Sequence, residues 1–338
     1  VSVGCDVVDL GVVATPTLML AVEKSEALGG VGVTASHNPA EWNALKFAAP
    51  EGTFLDAETM AAFLQFALHH DPARASWDDL GTVRADNGAA GRHLDAILEL
   101  PQLDLPGLRA RGFKVVLDCA HGATYHIAPS VFRELGADVS LLGVSPDGLN
   151  INQQVGSTHP APLRAAVIER GADIGVAFDG DGDRVILVDS DGREIDGDDI
   201  LYIIARDRHE RGVLGGGVVG TLMSNFGLAA AMESLGIPFE RAKVGDRYVM
   251  ECLEAKGWQL GGESSGHIVC SHVQSTGDPA ALERLFCAEL LAHGDQAGHL
   301  GLGDVDFTPA PRSQADIGNL VVFGHLLGRC THVSTSCL

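Results

Sequence analysis

Three aspartates stand on alternate residues in Phe178-Asp179-Gly180-Asp181-Gly182-Asp183-Arg184, a spacing that lets their carboxylates converge on one hard cation. Oxygen clusters of this kind suit Mg²⁺ or Ca²⁺, and carboxylates held so close repel one another strongly unless a cation stands between them. The plain alternative is a solvated hairpin tip, because Asp-Gly is a favoured tight-turn dipeptide. Apolar runs on both sides, Ile174 to Phe178 and Val185 to Val188, favour the metal reading. An EF-hand is excluded by spacing. It needs Gly at its sixth position and Glu at its twelfth, where counting from Asp179 finds Arg184 and Ser190. An arginine beside such a cluster has another use, to hold a phosphate-like anion against the cation.

Three further stretches carry reactive side chains. Thr34-Ala35-Ser36-His37-Asn38-Pro39 follows the strand-like run Gly30 to Val33, which places Ser36 at the carboxyl end of a strand, where α/β proteins gather ligands. A serine there can act as nucleophile or phosphate carrier, with His37 and Lys46 to neutralise or protonate what it attacks; a simple turn uses the same residue types. In Gly262-Glu263-Ser264-Ser265-Gly266-His267, Glu263 and Ser265 are spaced to point the same way from an extended loop, offering a carboxylate and a hydroxyl to a polyhydroxylated ligand. His267 could move a proton near neutral pH, and a solvated Gly-Ser loop is the alternative. Lys243-Val244-Gly245-Asp246-Arg247-Tyr248 precedes a helical pattern, with Asp246 expected as its N-cap and Lys243 and Arg247 as positive charge near a helix end.

Two nucleotide signatures fail. Gly215-x-Gly217-x-x-Gly220 fits the dinucleotide pattern but falls before and inside a strand rather than between strand and helix. No P-loop sequence or G-x-S-x-G elbow is present.

The elements that must position these residues alternate short β-branched runs with helical patterns. Strand-like segments at Lys114 to Leu117, Asp173 to Phe178, Gly217 to Leu222 and Trp258 to Gly261 alternate with helical ones at Pro162 to Gly171, Asn225 to Leu235 and Asp246 to Lys256. That rhythm is βαβ. An earlier unit holds the strand before Ser36 and a long helical pattern from Asp56 to His69. Expected boundaries divide the chain into 1–106, 107–197, 198–294 and an atypical tail, 295–338, where Gly and Pro increase and periodicity fades.

At 338 residues the chain exceeds what one core usually fills. Its 23 Lys+Arg against 45 Asp+Glu, a formal charge of -22, argue against a nucleic-acid or anionic-membrane surface. Seven scattered cysteines without a C-x-x-C pair suggest neither zinc nor a disulfide framework. With no apolar run of roughly 18 residues and no leader, a cytoplasmic protein is expected, and the first residue, Val1, suggests a missing start.

Taken together and in this order, TASHNP, DGDGDR and GESSGH resemble the α-D-phosphohexomutase superfamily, and Leu149 to His159, Gly220 to Asn225 and Ala242 to Val249 are most similar to its bacterial phosphoglucosamine mutase branch. The resemblance spans roughly Gly4 to Asp278. It implies successive three-layer α/β domains with mixed sheets. By resemblance, Ser36 is the phosphoserine, and Asp179, Asp181 and Asp183 with the Ser36 phosphate bind Mg²⁺. Arg184 contacts the phosphoryl group, and Lys46 and His37 occupy the basic positions of the serine loop. Glu263 and Ser265 read sugar hydroxyls, Arg247 falls among the substrate contacts, and Lys243 and His267 are acid/base or phosphate-contact positions. The implied reaction interconverts glucosamine 6-phosphate and glucosamine 1-phosphate through a hexose 1,6-bisphosphate, and the branch is compatible with a homodimer. Two departures stand out: the branch's opening Gly-Thr-Asp-Gly-Ile-Arg-Gly loop and its fourth-domain Arg-x-Ser-Gly-Thr-Glu-Pro phosphate loop have no counterpart in the sequence, so the fourth domain is expected to be missing.

Alternatives remain at this point. Phosphomannomutase or phosphoglucomutase activity would use the same residues, a noncatalytic fragment would bind metal and phosphosugar without turnover, and a phosphatase would pass the Ser36 phosphoryl group to water.

Overall fold

The computed structural model describes residues 1–100 and 104–271. The expected boundary at 294, the tail 295–338 and the divergence past Thr276 lie outside the described residues. In the first unit β1 (Val7–Asp9) is followed by α1 (Thr15–Glu23), the antiparallel pair β2 (Gly30–Thr34) and β3 (Ala44–Ala48), α2 (Ala57–His69) and β4 (Val83–Ala85), which pairs with β1 in parallel. Pro16 sits in the first turn of α1, where its missing N–H costs nothing. Met19 and Val22 of α1 pack with Ala48 of β3. β2 lies so close to α1 that a Cβ on Gly30 would stand 2.6 Å from Val22 Cγ2. Only glycine lets strand and helix approach this far.

α3 (Ala89–Leu98) and α4 (Leu105–Arg111) lead to the second unit. The boundary expected at residue 106 falls inside α4. Pro106 reads as linker punctuation, yet it occupies the first turn of a helix that Asp104 caps by accepting the Gly107 N–H at 3.1 Å.

The second sheet is built from β5 (Lys114–Asp118), α5 (Ile127–Glu134), β6 (Asp138–Leu142), α6 (Ala161–Arg170), β7 (Ile174–Phe178), β8 (Val185–Asp189) and β9 (Glu194–Ile195), with strand order β6-β5-β7-β8-β9. The first three strands are parallel and the last two steps antiparallel. The third unit repeats the plan. After α7 (Gly197–Glu210) come β10 (Val218–Thr221), α8 (Phe226–Ser234), β11 (Phe239–Ala242), α9 (Asp246–Lys256), β12 (Leu260–Gly262) and β13 (Ile268–Cys270), in the order β11-β10-β12-β13. Again three parallel strands end in an antiparallel hairpin. The hairpin loops β7–β8 and β12–β13 are the acidic and the Glu263 stretches.

The strands β7 and β10 are buried along their whole length, as parallel strands covered on both faces must be, which is why they read as unbroken apolar runs. The middle of α7, Ile200 to Ala205, is buried on every side between its charged ends. Ile200, Leu201, Ile203 and Ile204 are all buried in one core with Leu117, Phe178 and Leu187 of the second sheet and Val218, Leu260 and Ile268 of the third. Asp196 starts this helix by accepting the N–H groups of Asp198 (2.9 Å) and Asp199 (3.0 Å), while Asp199 returns a bond to the Asp196 N–H at 3.4 Å. Replacing Asp196 by alanine should therefore lower stability by about 1–2 kcal/mol, read from urea denaturation; an unchanged midpoint would dismiss the cap.

Candidate active site

β2 delivers Ser36 to the mouth of the second sheet in an unusual backbone state. Its φ of 51° is left-handed, a region that non-glycine residues enter at a cost of about 1–3 kcal/mol and that is enriched at functional sites. The Thr34 hydroxyl accepts the Ser36 N–H at 2.8 Å, and Asn38 N–H closes a turn on the Ala35 carbonyl at 3.0 Å. The half-buried Ser36 Oγ then donates to Asp179 Oδ2 at 3.1 Å and lies 3.5 Å from His37 Nδ1.

The acidic loop is organised by one of its own members. Asp179 Oδ1 accepts three backbone N–H groups, from Gly182 (3.0 Å), Asp183 (3.1 Å) and Arg184 (3.2 Å). Gly180 is needed for approach: a Cβ there would collide with the Ser36 carbonyl oxygen. Asp181 Oδ2 accepts from the Thr15 hydroxyl at 2.7 Å, and the Thr15 N–H, at the N-terminus of α1, donates to the Asp181 carbonyl at 2.8 Å. Lys46, from β3, donates to Asp181 Oδ2 and Asp183 Oδ2, both at 2.6 Å. His267 Nδ1 approaches Asp183 Oδ2 to 3.9 Å from the third unit.

All three aspartates are buried, and one oxygen from each falls within 4.8 Å of the others. Asp181 Oδ1 and Asp183 Oδ1 are buried with no hydrogen-bond partner among the described residues. Unpaired, inward-facing carboxylate oxygens in such a group fit a hard divalent cation.

The local field is uneven. Burial, together with the charges of Asp183 and Asp181, drives the Asp179 carboxyl well above the usual range, against the pull of Lys46 and Arg184. For Asp183 burial works in the same direction but is outweighed by Lys46, His267 and Arg184, so it stays below the usual range. Burial likewise opposes the Lys46 ammonium, and Asp183 and Asp181 overcome it, holding the group charged. His37 is lowered by burial and by Arg184, with Asp183 and Asp181 resisting. The Arg184 Nε is buried without a partner among the described residues, a donor left for an anion.

Ser36, His37, Lys46, Asp179, Asp181, Asp183, Arg184 and His267 are thus brought together from three units. Glu263 meets the start of α9 beside Lys243 and Arg247, and Ser265 stands apart from them. Glu263 does not extend beside Ser265 as expected: Gly266 N–H bonds back to the Glu263 carbonyl at 3.0 Å, closing a tight turn through Gly266 at φ 90°. Ser265 is left exposed at its tip, and the buried Glu263 accepts the Gly245 N–H at 2.8 Å. Gly245, with φ 123°, and not Asp246 is the N-cap of α9. The chain must turn there to meet Glu263, which only glycine does without strain. Lys243 and Arg247 both lie over the Tyr248 ring, and Arg247 donates to the Tyr248 hydroxyl at 2.8 Å.

The Glu263 turn is tied to the acidic hairpin by Val185 N–H to the Gly266 carbonyl and to α7 by Gly197 N–H to the Ser264 carbonyl, both 3.1 Å. At that helix end Asp198 and Asp199 are pushed up to about 6, mainly by burial, with Asp196 adding repulsion. An acid raised from its ordinary 3.8 contributes full stability below about pH 4 and loses it as pH rises through about 6. Asp198→Asn keeps an oxygen for the Asn225 N–H, now accepted at 2.7 Å. It should reduce the fall in unfolding free energy between about pH 4 and 7 by on the order of 2 kcal/mol, measured by urea titrations across that range. Parallel curves for both proteins would refute this.

Two contributors escaped the residue patterns: Thr15, whose Thr-Pro setting signals only a helix start, and Asn152, inside a stretch that resembles the superfamily but carries no reactive group.

The phosphoglucomutase/phosphomannomutase α/β/α domains I, II and III match residues 1–71, 86–192 and 196–300. The chain belongs to this family. It is 56% identical over 326 residues to a phosphoglucosamine mutase of Chromohalobacter salexigens, covering 94% of the chain and 71% of that relative. A phosphoglucosamine mutase of Legionella pneumophila is 52% identical over 276 residues, 81% of the chain and 60% of the relative. Among solved structures, a phosphoglucomutase/phosphomannomutase family protein of Burkholderia thailandensis superposes with a TM-score of 0.76 at 25% identity, covering 89% of this chain and 65% of that one. The chain therefore spans about two thirds of the length of such relatives. Among the described residues no helix is long and apolar enough to cross a membrane.

Proposed function

We propose that the protein interconverts glucosamine 6-phosphate and glucosamine 1-phosphate by carrying a phosphoryl group on Ser36. The observation that carries this reading is the Ser36 hydroxyl, 3.1 Å from Asp179 Oδ2 at the edge of a buried carboxylate triad. Identity to phosphoglucosamine mutases over most of the chain supports the sugar.

In the forward direction the P–Oγ bond of phospho-Ser36 breaks as a P–O bond forms to the sugar's 1-hydroxyl, whose proton passes to a base. His37 and His267 are the candidates, as imidazoles beside the carboxylates. The hexosamine 1,6-bisphosphate then turns end for end. Ser36 Oγ attacks the 6-phosphoryl group, and the 6-oxygen takes up a proton as it leaves. Asp179, Asp181 and Asp183 would hold Mg²⁺ together with the Ser36 phosphate; the bound ion would neutralise charge on the transferring group. Lys46 and Arg184 add fixed positive charge, and Arg184 Nε has no competing partner among the described residues. Transfer of this kind asks mainly for in-line positioning and charge stabilisation. Ser265, exposed at the tip of its turn, offers a hydroxyl to the sugar, Glu263 orders the start of α9 through Gly245, and Lys243 and Arg247 add positive charge there for a phosphate. A formal charge of -22 leaves these few cations to attract an anionic substrate, and a cytoplasmic phosphosugar pool is the setting we assign.

The test is turnover of glucosamine, mannose and glucose 6-phosphates with catalytic hexose 1,6-bisphosphate and Mg²⁺. Glucosamine 6-phosphate should give the highest kcat/KM. Faster turnover of mannose or glucose 6-phosphate would reassign the substrate, and inorganic phosphate without sugar 1-phosphate would mark a phosphatase.

A further inference from the structure

Asn152 lies 116 residues from Ser36 in sequence, yet its Nδ2 donates to the Ser36 carbonyl at 2.7 Å and to the Asn38 carbonyl at 2.9 Å. Two carbonyl partners require the amide nitrogen at that position, which fixes the side chain's orientation. The residue is 6% exposed. With φ at 58°, its backbone stands in the left-handed region that asparagine tolerates better than most side chains.

The turn that presents Asn152 is anchored to the same strand ends that carry the acidic loop. Asn152 N–H donates to the Ala120 carbonyl at 2.8 Å, just past β5. Gly156 N–H donates to the buried Asp118 Oδ2 at 2.8 Å, and Ser157 N–H to the Phe178 carbonyl at 2.8 Å, one residue before Asp179. The second sheet therefore grips the serine loop twice, through the Ser36 hydroxyl on Asp179 and through the Ser36 and Asn38 carbonyls on Asn152.

These two grips differ chemically. A phosphoryl group on Ser36 Oγ replaces the hydroxyl proton and abolishes the bond to Asp179. The carbonyl bonds to Asn152 do not involve the reacting atom and survive in both states. We infer that Asn152 is a positioning residue that keeps the Ser36 loop in register with the acidic triad while the phosphoryl group comes and goes. The inference rests on the reading of Ser36 as the phosphoryl carrier. A misplacement of about 1 Å at a reacting centre can cost on the order of 10²-fold in rate.

The test uses the full chain and two variants. Asn152→Gly removes the donors and accepts the left-handed backbone without strain, and Asn152→Asp keeps the shape while replacing the donor by an acceptor. Hydrogen–deuterium exchange is followed for the peptide covering residues 34–40 and for the β5 and β7 peptides. Ser36 phosphorylation by glucose 1,6-bisphosphate is timed by mass spectrometry. Both variants should exchange at least about tenfold faster in the 34–40 peptide with the β5 and β7 amides unchanged, and load phosphate about 10- to 100-fold more slowly at saturating bisphosphate, with KM within about threefold. Wild-type exchange in the loop, or wild-type loading, overturns the inference, as does a loss of protection spread equally through β5 and β7. A wild-type chain that takes up no phosphate refutes the proposed function instead, and loop exchange alone then decides whether Asn152 holds Ser36.

Discussion

Ser36→Ala should end phosphoryl uptake from glucose 1,6-bisphosphate and lower sugar-phosphate isomerisation by at least about 10⁴-fold, because the proposed covalent carrier is lost and not merely weakened. Thr15, a second hydroxyl bonded to the triad, donates to Asp181 Oδ2 from a buried helix start. The fold should survive. Asp179 loses one donor but keeps the three backbone N–H groups on its other oxygen. Alanine at φ 51° retains the backbone strain, so Ser36→Gly serves as the unstrained control. Both should melt within a few degrees of the parent, and both should be inert. Label retained on either variant would show that another residue carries the phosphoryl group.

Lys46→Met should produce the largest change in stability. The ammonium is the partner that Asp181 Oδ2 and Asp183 Oδ2 share at 2.6 Å, and both aspartate side chains are only 6% exposed. Removing one member of a buried charge group leaves the rest uncompensated, at a cost of about 3–5 kcal/mol. A cation bound at the triad offsets that cost, because a ligand that binds only the folded state stabilises it by mass action. The variant's thermal midpoint should therefore fall sharply in chelator and recover with millimolar Mg²⁺ by more than the parent's does. Equal Mg²⁺ responses in the two proteins would separate Lys46 from the proposed metal site. Turnover should also drop, since the proposed transfer draws on this ammonium for positive charge beside the triad.

The alternation of β-branched runs and helical patterns was readable because parallel strands covered on both faces, such as β7 and β10, must be apolar throughout. For the same reason the acidic stretch between β7 and β8 stood out as a hairpin. Ser36, Lys46, the three aspartates and Arg184 were legible as reactive residue types, but their meeting is tertiary. Lys46 reaches the triad because β3 pairs with β2 in a register that sets Lys46 opposite Gly32, and no local pattern reports that.

Misreadings have local causes of a different kind. Pro106 has two meanings, linker punctuation or first-turn helix residue, and the Asp104 cap selects the second. Asp246 has the composition of an N-cap, but the Gly245 N–H must meet Glu263, which shifts the cap by one residue. The spacing of Glu263 and Ser265 predicts a shared face only for extended backbone. Gly266 folds that backbone into a turn and sends the two side chains to different surroundings. Thr15 and Asn152 act through hydrogen bonds to residues more than a hundred positions away, beyond the reach of any motif.

The most direct test of the account is to incubate the full chain with glucose 1,6-bisphosphate and Mg²⁺ and to map any phosphoryl group by peptide mass spectrometry. The account predicts one phosphoryl group, on Ser36, lost again when glucosamine 6-phosphate is added. An unmodified Ser36, or a phosphoryl group on any other residue, would contradict it.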